Sequence, residues 1–592
     1  MDDRQTAGRW VSAWSTSPVD ASLSEAGMLD RLGVAVTDVS ARTAVQLTAG
    51  GTHVRLTLSN IFGVLPLHVA ACTVAIGADD ARGIDPATLH TVTFGGNTHV
   101  RIGAGTSCTS DAAALPVAAG QTLTVTVFYR GINAMRTIGL IGGRSHAELG
   151  NCTRRAMLHM AVPMQHTADS GAYEVIPALT EIDVLAAAGT HACVIFGDST
   201  VANELPRLLA SRLRADGIGN VSVTQAAIKG DRLVADGVGR AAKLLGGAGV
   251  KRFARDVLGQ AGADMVLVKL GANDLIHPHC RSKQGLLAPV TFAQMTAGYR
   301  ALADMAHAQG VRIWFCELTP WKGYTRNLFG RGDDIQWSPE LDALRLELNA
   351  WFQSADCPAD GYIPLGPLAD PDDPDALVPA YTTDGVHHTP AGQRALAALM
   401  PENIFEPQTQ EECPMTAIRP GTVSDIARVE EIYGAIHTAE EAGAASIGWV
   451  RGVYPTRATA QAALDAGELF VLADGGTVYA AGRINHEQVP VYAAVPWQYK
   501  ARPEQVLVLH TLVVDPAAAG HGYGTQFVRF YEQRARALGC PELRIDTNAK
   551  NAAARRLYAY LGYREVGTAP CNFNGIDGVS LVCLEKWLGT ER

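Results

Sequence analysis

His191-Ala192-Cys193-Val194-Ile195-Phe196 runs straight into Gly197-Asp198-Ser199 and then into a helix-like stretch at residues 201–213. A short apolar run closed by glycine reads as a buried strand, so the unit is strand, tight turn, helix. A serine on such a turn projects its hydroxyl above the carboxyl edge of a parallel sheet, where open α/β folds bind ligands. Val266-Leu267-Val268 followed by Lys269-Leu270 ends another strand and puts Gly271-Ala272-Asn273-Asp274 on the same edge. From about residue 189 to residue 405, strands and helices alternate, as a parallel sheet with crossovers requires.

A serine hydroxyl is a poor nucleophile until a base takes its proton. Asp384-Gly385-Val386-His387 offers that base in His387, with Asp384 in the same turn to fix the ring and stabilise the imidazolium. The next residue is also a histidine; spacing from Asp384 favours His387, and His388 reads as a solvated loop residue before Pro390. Gly-x-Ser-x-Gly does not occur, which argues against the α/β-hydrolase version of this chemistry. The ordered blocks Gly197-Asp198-Ser199, Gly230, Gly271-Ala272-Asn273-Asp274 and Asp384-Gly385-Val386-His387 resemble the SGNH (GDSL-like) esterases and lipases. That resemblance implies Ser199 as nucleophile and Asp384 and His387 as acid and base. It also implies three oxyanion donors: the backbone N–H groups of Ser199 and Gly230 and the side-chain amide of Asn273. A donor of this kind is worth on the order of 10²–10³ in rate. The family's second block usually opens with Asn. Here it runs Gln225-Ala226-Ala227-Ile228-Lys229-Gly230, which keeps the Gly230 donor but changes what can brace its loop.

Upstream, Val54-Arg55-Leu56-Thr57-Leu58-Ser59 and Leu123-Thr124-Val125-Thr126-Val127 alternate apolar and polar residues between Gly/Asn/Asp-rich turns. This is the half-buried strand pattern, and a β-sandwich over residues 1–188 is expected. The stretches from Trp10 to Pro18, Ser59-Asn60-Ile61-Phe62-Gly63 and Thr93-Phe94-Gly95-Gly96 resemble the N-terminal β-domain of some SGNH esterases, including carbohydrate deacetylases. The sandwich is either a folding brace or a carbohydrate-binding element.

Residues 406–414, from Glu406 to Pro414, are polar and aperiodic and read as a linker. Met415-Thr416-Ala417-Ile418-Arg419-Pro420 then looks like the start of a separate protein, with Met415 a former initiator in a gene fusion. Within residues 415–592, a strand at 506–516 precedes Gly520-His521-Gly522-Tyr523-Gly524 and a helical stretch from Thr525 to Leu538. A glycine-rich turn opening a helix presents N–H groups and the positive helix end to an anion such as pyrophosphate. With Leu543-Arg544-Ile545-Asp546 and Asn551-x-x-Ala554-x-x-Leu557-Tyr558-x-x-Leu561-Gly562-Tyr563 behind it, this region resembles the GNAT acetyltransferases. Ser424-Asp425 is read as the cap of the first helix of that fold.

The GNAT resemblance implies acetyl-CoA as acyl donor, with pyrophosphate on Gly520, His521, Gly522, Tyr523, Gly524 and Thr525 and the pantetheine arm along Val513 and Val514. Asn551 matches a cofactor-contacting position, and Tyr558 matches the residue that protonates the leaving thiolate; its bland alternative is a core aromatic. The loop usually opens with Arg or Gln, whereas this chain has Ala519, which weakens phosphate binding and leaves the amide nest. Glu504 and His510 lie near the strand where a base for the attacking amine belongs, and nothing in the sequence selects between them.

Composition bounds the rest. At 592 residues, with about 150 residues per domain, three or four domains are expected. A net charge of −10 argues against nucleic acid or an anionic membrane as main partner. No transmembrane run and no signal-peptide pattern are read, and eleven irregularly spaced cysteines suggest reduced thiols, hence a cytoplasmic protein. His277-Pro278-His279-Cys280 is read as a surface loop rimming the cleft rather than a metal cage. Asp370, Asp372, Asp373 and Asp375 are read as a solvated loop without calcium-site spacing.

The expected protein is multidomain: an all-β sandwich (1–188), an α/β/α flavodoxin-like hydrolase (189–405) and an α+β GNAT fold (415–592). It would be bifunctional, an esterase removing small acyl groups from a sugar or other polar ester and an N-acetyltransferase using acetyl-CoA and an amine acceptor. No metal is expected, and no cofactor for the esterase. The alternatives are a lipase-like carboxylesterase beside a silent GNAT domain, or a carbohydrate-binding protein with one inactive catalytic domain.

Overall fold

The computed structural model describes residues 8–22, 34–78, 81–168, 171–202, 204–239, 242–325, 334–405, 417–474, 477–518 and 522–588. Contacts gather into two compact units, Met1–Pro407 and Gln408–Arg592. The expected linker and Met415 lie outside the described residues.

The first unit opens with two packed sheets. Arg9–Ser15, Leu179–Ala186, Val54–Ser59 and Ser107–Thr109 make a four-stranded sheet, and the other centres on Thr122–Met135 between Val34–Gln46 and Leu67–Ile76. Inward residues of both, among them Leu56, Val184, Val45 and Val125, share one core. Arg42 is fully buried in this sandwich, yet its guanidinium is satisfied. It donates to Thr126 Oγ1 at 2.9 Å and to the carbonyls of Arg82 (2.9 Å), Cys152 (3.1 Å) and Arg155 (2.6 Å). A buried charge is tolerable only when paired or hydrogen-bonded in this way.

A five-stranded parallel sheet follows, in the order Val221–Ala227, His191–Gly197, Ala263–Lys269, Arg312–Cys316, Gly361–Ile363. The strands are nearly continuous apolar runs because both faces are covered. Leu205–Ala215 and Pro390–Ala398 pack on one side, Phe292–His307 and Pro339–Phe352 on the other. Register levels the carboxyl ends, with Gly197 paired to both Ala227 and Lys269. That alignment brings the turns carrying Ser199, Gly230 and Asn273 to one edge. Sandwich and sheet are joined by hydrogen bonds from Ser15 Oγ to the Gln225 carbonyl (2.7 Å), Ser222 Oγ to the Ser12 carbonyl (2.6 Å) and the Ser12 N–H to the Ala261 carbonyl (2.7 Å).

Two local expectations are corrected. The helix after Ser199 begins at Leu205, not 201. Pro206 suits the first turn, while the Asp198 carboxylate accepts the N–H (2.9 Å) and hydroxyl (2.8 Å) of Thr200 and holds the intervening residues as a turn. The aspartates at 370–375 lie on a β-hairpin, Ala369–Asp370 against Asp373–Leu377, with Asp373 paired to Lys322 at 2.8 Å.

The second unit is a seven-stranded sheet in the order Ala417–Pro420, Leu469–Asp474, Thr477–Asn485, Val506–Val514, Glu542–Asn548, Ile576–Trp587, Arg564–Phe573. All neighbours are antiparallel except Val506–Val514 and Glu542–Asn548, which run parallel and register only from Val506–Glu542 to Leu509–Ile545. Beyond that pair the two strands part. The first helix, Ile426–Glu441, has Asp425 at its N-cap, as the Ser424-Asp425 reading expects, but the Asp425 side chain closes a capping box with Thr422 in the preceding turn instead of bonding this helix. Asp425 is free to serve because Arg419 holds its carboxylate through two bonds, at 2.7 and 2.8 Å. Among the described residues, no helix is long and apolar enough to cross a membrane, and every cysteine is a free thiol.

Candidate active sites

At the carboxyl edge of the parallel sheet, Ser199 Oγ lies 2.9 Å from His387 Nε2, and His387 Nδ1 lies 2.7 Å from Asp384 Oδ2. The turn carrying Asp384 and His387 is built to hold this geometry. Asp384 Oδ1 accepts the N–H groups of Val386 (3.1 Å) and His387 (2.8 Å), and Thr382 Oγ1 donates to the His387 carbonyl (2.9 Å). Gly385 sits at φ +90°, and a Cβ there would meet the Tyr324 nitrogen at 2.6 Å, so glycine is required on both counts. The Tyr324 ring stands edge-on to the His387 imidazole at 6.1 Å. Burial would raise the Asp384 carboxyl, but the hydrogen bond and charge of His387, with the two N–H donors, hold it down at about 2. An ionised aspartate behind the ring keeps a proton on Nδ1 and leaves Nε2 free to take the serine proton.

The loops of Gly230 and Asn273 are braced by residues the motifs did not announce. Gly230 adopts φ +77° in its turn, and Asn273 Nδ2 donates to the carbonyl of Asp231 at 2.9 Å, tying the two donor loops together. Asp231 is paired with Arg252, which also reaches Asp256 (3.1 Å), the Ala226 carbonyl (2.8 Å) and Ser17 Oγ (3.2 Å) and lies over the Phe196 ring at 4.3 Å. Asp274 accepts the N–H groups of Leu233 (2.6 Å) and Val234 (3.1 Å), and Tyr299 OH caps the Leu270 carbonyl at 2.6 Å beneath Gly271. Behind the nucleophile, the buried Lys269 donates to Thr200 Oγ1 at 2.8 Å, continuing the line that begins at Asp198.

Two readings of nearby histidines are corrected. His388 is not solvated: its ring nitrogens are buried, and burial, with the charge of Lys269, drives it down to about 3. The following Thr389 and Pro390 start a helix that turns the ring inward. His277 and Cys280 are likewise buried rather than on a surface loop; Ile276 and Cys280 pack with Trp321, Tyr324 and Val386 behind the catalytic turn. Among the described residues no cluster of His, Cys, Asp and Glu could hold a metal. Because His388 stays neutral and outside the relay, His388→Ala should keep ester hydrolysis within about tenfold of wild type while lowering the denaturation midpoint. Steady-state rates beside a urea curve check this, and a loss of hydrolysis above a hundredfold in folded protein would refute it.

In the second unit, the parting of the two parallel strands opens a cavity of about 420 Å³. Tyr558, Asn551, His510, Thr511, Tyr454 and Asp546 are among its lining residues. Thr511 takes φ +51° at a register shift, and its hydroxyl is bound by Tyr454 OH. Tyr558 packs in the core, as its second reading expects, and also lines the cavity, and burial pushes its hydroxyl far above the ordinary phenol range. Asn551 caps the helix Ala552–Tyr560 through the N–H of Ala554 at 3.1 Å.

Gly522 at φ +72° opens the helix Tyr523–Leu538, with Gly524 and Thr525 in its first turn, but none of these, nor Val513 or Val514, lines the cavity. Ala519, Gly520 and His521 lie outside the described residues. Of the two suggested bases, His510 lines the cavity. Glu504 does not; it sits in the turn before the strand, paired with Arg502 at 3.3 Å. Asp546 went unremarked in the sequence because an aspartate alternating with Leu543 and Ile545 reads as a solvent-facing strand residue.

One unit thus holds a hydrogen-bonded line of serine, histidine and aspartate on a parallel-sheet edge. The other has a sheet whose two parallel strands part beyond Leu509 and Ile545. Residues 193–400 match the family model of GDSL-like Lipase/Acylhydrolase, and residues 434–563 match the Acetyltransferase (GNAT) family. The chain carries a GDSL-like hydrolase domain and a GNAT acetyltransferase domain and is a bifunctional hydrolase and acyltransferase. No curated protein sequence matches it. Among solved structures it is similar to an N-acetyltransferase from Staphylococcus aureus Mu50 (20% identity, 29% of this chain and 98% of that one, TM-score 0.23). It is also similar to a GNAT-family acetyltransferase from Streptococcus agalactiae 2603 (21%, 30% and 96%, TM-score 0.25). A third is yncA from Salmonella typhimurium, determined with its cofactor acetyl-CoA (20%, 30% and 95%, TM-score 0.23).

Proposed function

We propose that residues 189–405 hydrolyse small acyl esters, acetyl first, of a sugar or other small polar alcohol, with residues 1–188 as a sandwich supporting that domain. We also propose that residues 415–592 transfer acetyl from acetyl-CoA to an amine. The observation that carries the hydrolase reading is the continuous relay from Ser199 through His387 to Asp384. Ser199 Oγ attacks the ester carbonyl as His387 Nε2 takes its proton. The oxyanion is met by the N–H groups of Ser199 and Gly230 and the second amide hydrogen of Asn273, whose first is used on Asp231. His387 then protonates the leaving alkoxide, and a water repeats the sequence to free the serine. The choice of acetyl rests on the presence of an acetyl-handling domain in the same chain.

In the acetyltransferase half, Tyr558 is the acid for the leaving thiolate. The helix opening at Gly522, with Tyr523, Gly524, Thr525 and the preceding Gly520 and His521, is the pyrophosphate cradle. Val513 and Val514 would flank the pantetheine arm, and Asn551 would fix the cofactor's position.

p-Nitrophenyl esters from acetate to palmitate, given to the full chain, test the substrate reading. The expected kcat/KM peaks at acetate or propionate; a maximum at eight carbons or longer would replace the deacetylase with a lipase-like esterase. Calorimetry with acetyl-CoA tests the second half. A fragment beginning at Met415 should bind it as the full chain does, because that unit owns its core. Absence of binding at millimolar ligand by both, unrescued by Ala519→Arg, would leave a GNAT-shaped domain without that donor.

A further inference from the structure

We propose that Asp546 is the proton acceptor for the incoming amine, and that its cavity takes an arylalkyl or aliphatic primary amine lacking a carboxylate. This rests on the acetyltransferase reading above. Leu509 and Ile545 are the last registered pair of the parallel strands, so His510 and Asp546 stand where the strands part. Leu543 and Ile545 face the core beneath the helix Tyr523–Leu538, whereas Asp546 points to the other side, where Tyr492, Val508, Val579 and Leu581 gather. There Tyr492 OH donates to Asp546 Oδ2 at 2.7 Å. Among the described residues Asp546 is in no ion pair, and Arg544 on its own strand is bound to Glu542. A half-buried carboxylate without a cation is costly, and a cationic ligand relieves that cost.

The rest of the cavity agrees with a cation on an apolar body. Trp449, Tyr454 and Phe573 form an edge-to-face series, each step 6.0 Å between ring centres. Such rings favour an ammonium group and its hydrocarbon. Arg483 also lines the cavity, but its guanidinium is held by Glu468 at 2.7 Å and Glu487 at 2.8 Å, which leaves it poorly placed to recognise a substrate carboxylate.

His510 is the rival base, and its bonding argues against it. Its Nε2 faces two acceptors, Asn485 Oδ1 at 3.0 Å and the Glu487 carbonyl at 3.1 Å, and burial drives the ring down to about 4. Burial raises Asp546 against the pull of the Tyr492 hydroxyl, to about 6, close to a working pH. Tyr454, Tyr492 and Tyr558 are pushed up by burial, as are Cys571 and Cys583, so these groups stay neutral near pH 6. Asp546 is thus the group facing this part of the cavity that changes charge there.

The atoms balance as follows. The Asp546 carboxylate takes one proton from the ammonium, and the freed lone pair attacks the thioester carbonyl. The C–N bond forms and the C–S bond breaks. Tyr558 gives its proton to the departing sulfur and recovers one from the nitrogen. The products are the amide, the CoA thiol and a proton that leaves Asp546 for water.

The test is thiol release from acetyl-CoA by the full chain with 2-phenylethylamine and hexylamine, against phenylalanine and glutamate. The two simple amines should be acetylated and the two amino acids not. In wild type, kcat/KM should fall as pH drops through about 6, where the carboxylate is lost. Asp546→Asn should lower kcat about a hundredfold or more and erase that limb while acetyl-CoA affinity by calorimetry is unchanged. Asp546→Asn within threefold of wild type with the limb intact, or turnover of the amino acids alone, overturns the proposal. So does acetyl-CoA binding without turnover of either simple amine. No acetyl-CoA binding by wild type fails the underlying reading instead and takes this proposal with it. If Asp546→Asn does not fold, Tyr492→Phe replaces it: losing the phenol should move the acid limb upward, and an unmoved limb overturns the assignment.

Discussion

Ser199→Ala should lower kcat for p-nitrophenyl acetate by about 10⁶, His387→Ala should lose nearly as much, and the double variant should lose no more than either. The equality follows from the relay. With Oγ at 2.9 Å from Nε2, serine and histidine perform one proton-coupled attack, so removing either removes the whole step. What remains, on the order of 10³–10⁴ over water, belongs to the oxyanion donors and to binding. Burst and steady-state kinetics on the three proteins, with urea unfolding curves of the hydrolase unit as a folding control, read the result. A Ser199→Ala variant retaining a tenth of wild-type activity would show that another nucleophile operates. Losses that multiply in the double variant would show that His387 acts elsewhere than on Ser199.

How far the sequence led is plain from the kinds of residue involved. The turns of Ser199, Asp384 and His387 were legible because their geometry is local. Asp384 and His387 share one turn, Gly385 is demanded by φ +90° and the closeness of Tyr324, and Ser199 follows a strand whose apolar run is unmistakable. The turn at Gly522 was legible for the same reason, a positive φ at the start of a helix. Residues whose role depends on packing from a distance were not. His388 reads as solvated because it precedes a helix and a proline, and only the fold reveals that Lys269 and the sheet edge lie over it. Asp546 hides in an alternating strand, since alternation marks a water-facing side only where nothing covers the second face, and here Tyr492 and Trp497 do. Arg252 carried no motif at all, being 21 residues from the Asp231 it holds.

That arginine sets the second large effect. Arg252→Met should destabilise the first unit by about 3–5 kcal/mol, the usual cost of breaking a buried ion pair from one side. Arg252 and Asp231 are 3% and 1% exposed, so losing the guanidinium strands the Asp231 carboxylate in a place water barely reaches, while Asp256 keeps Arg255 at 2.5 Å. It also loses the bonds to the Ala226 carbonyl and to Ser17, the latter a contact from the sandwich, so the damage spans both layers of the unit. Activity should fall with stability, since Asp231 carries the turn of Gly230 and accepts the amide of Asn273. The sign of the pH dependence separates stranded charge from lost packing. Burial already pushes the Asp231 carboxyl upward against the pull of Arg252. Without that pull its folded-state pKa rises further above the unfolded value, so stability is greatest at low pH and declines as pH climbs through the raised pKa. The deficit of Arg252→Met relative to wild type should therefore narrow toward pH 5 and widen toward pH 8. Adding Asp231→Asn to Arg252→Met should recover part of the loss at pH 8 by removing the charge left without a partner, whereas Asp256→Asn, whose carboxylate keeps Arg255, should add little. Urea midpoints at the two pH values decide it: a deficit of the same size at both, unrelieved by Asp231→Asn, would mean that Arg252 matters for its packing over Phe196 rather than for its charge.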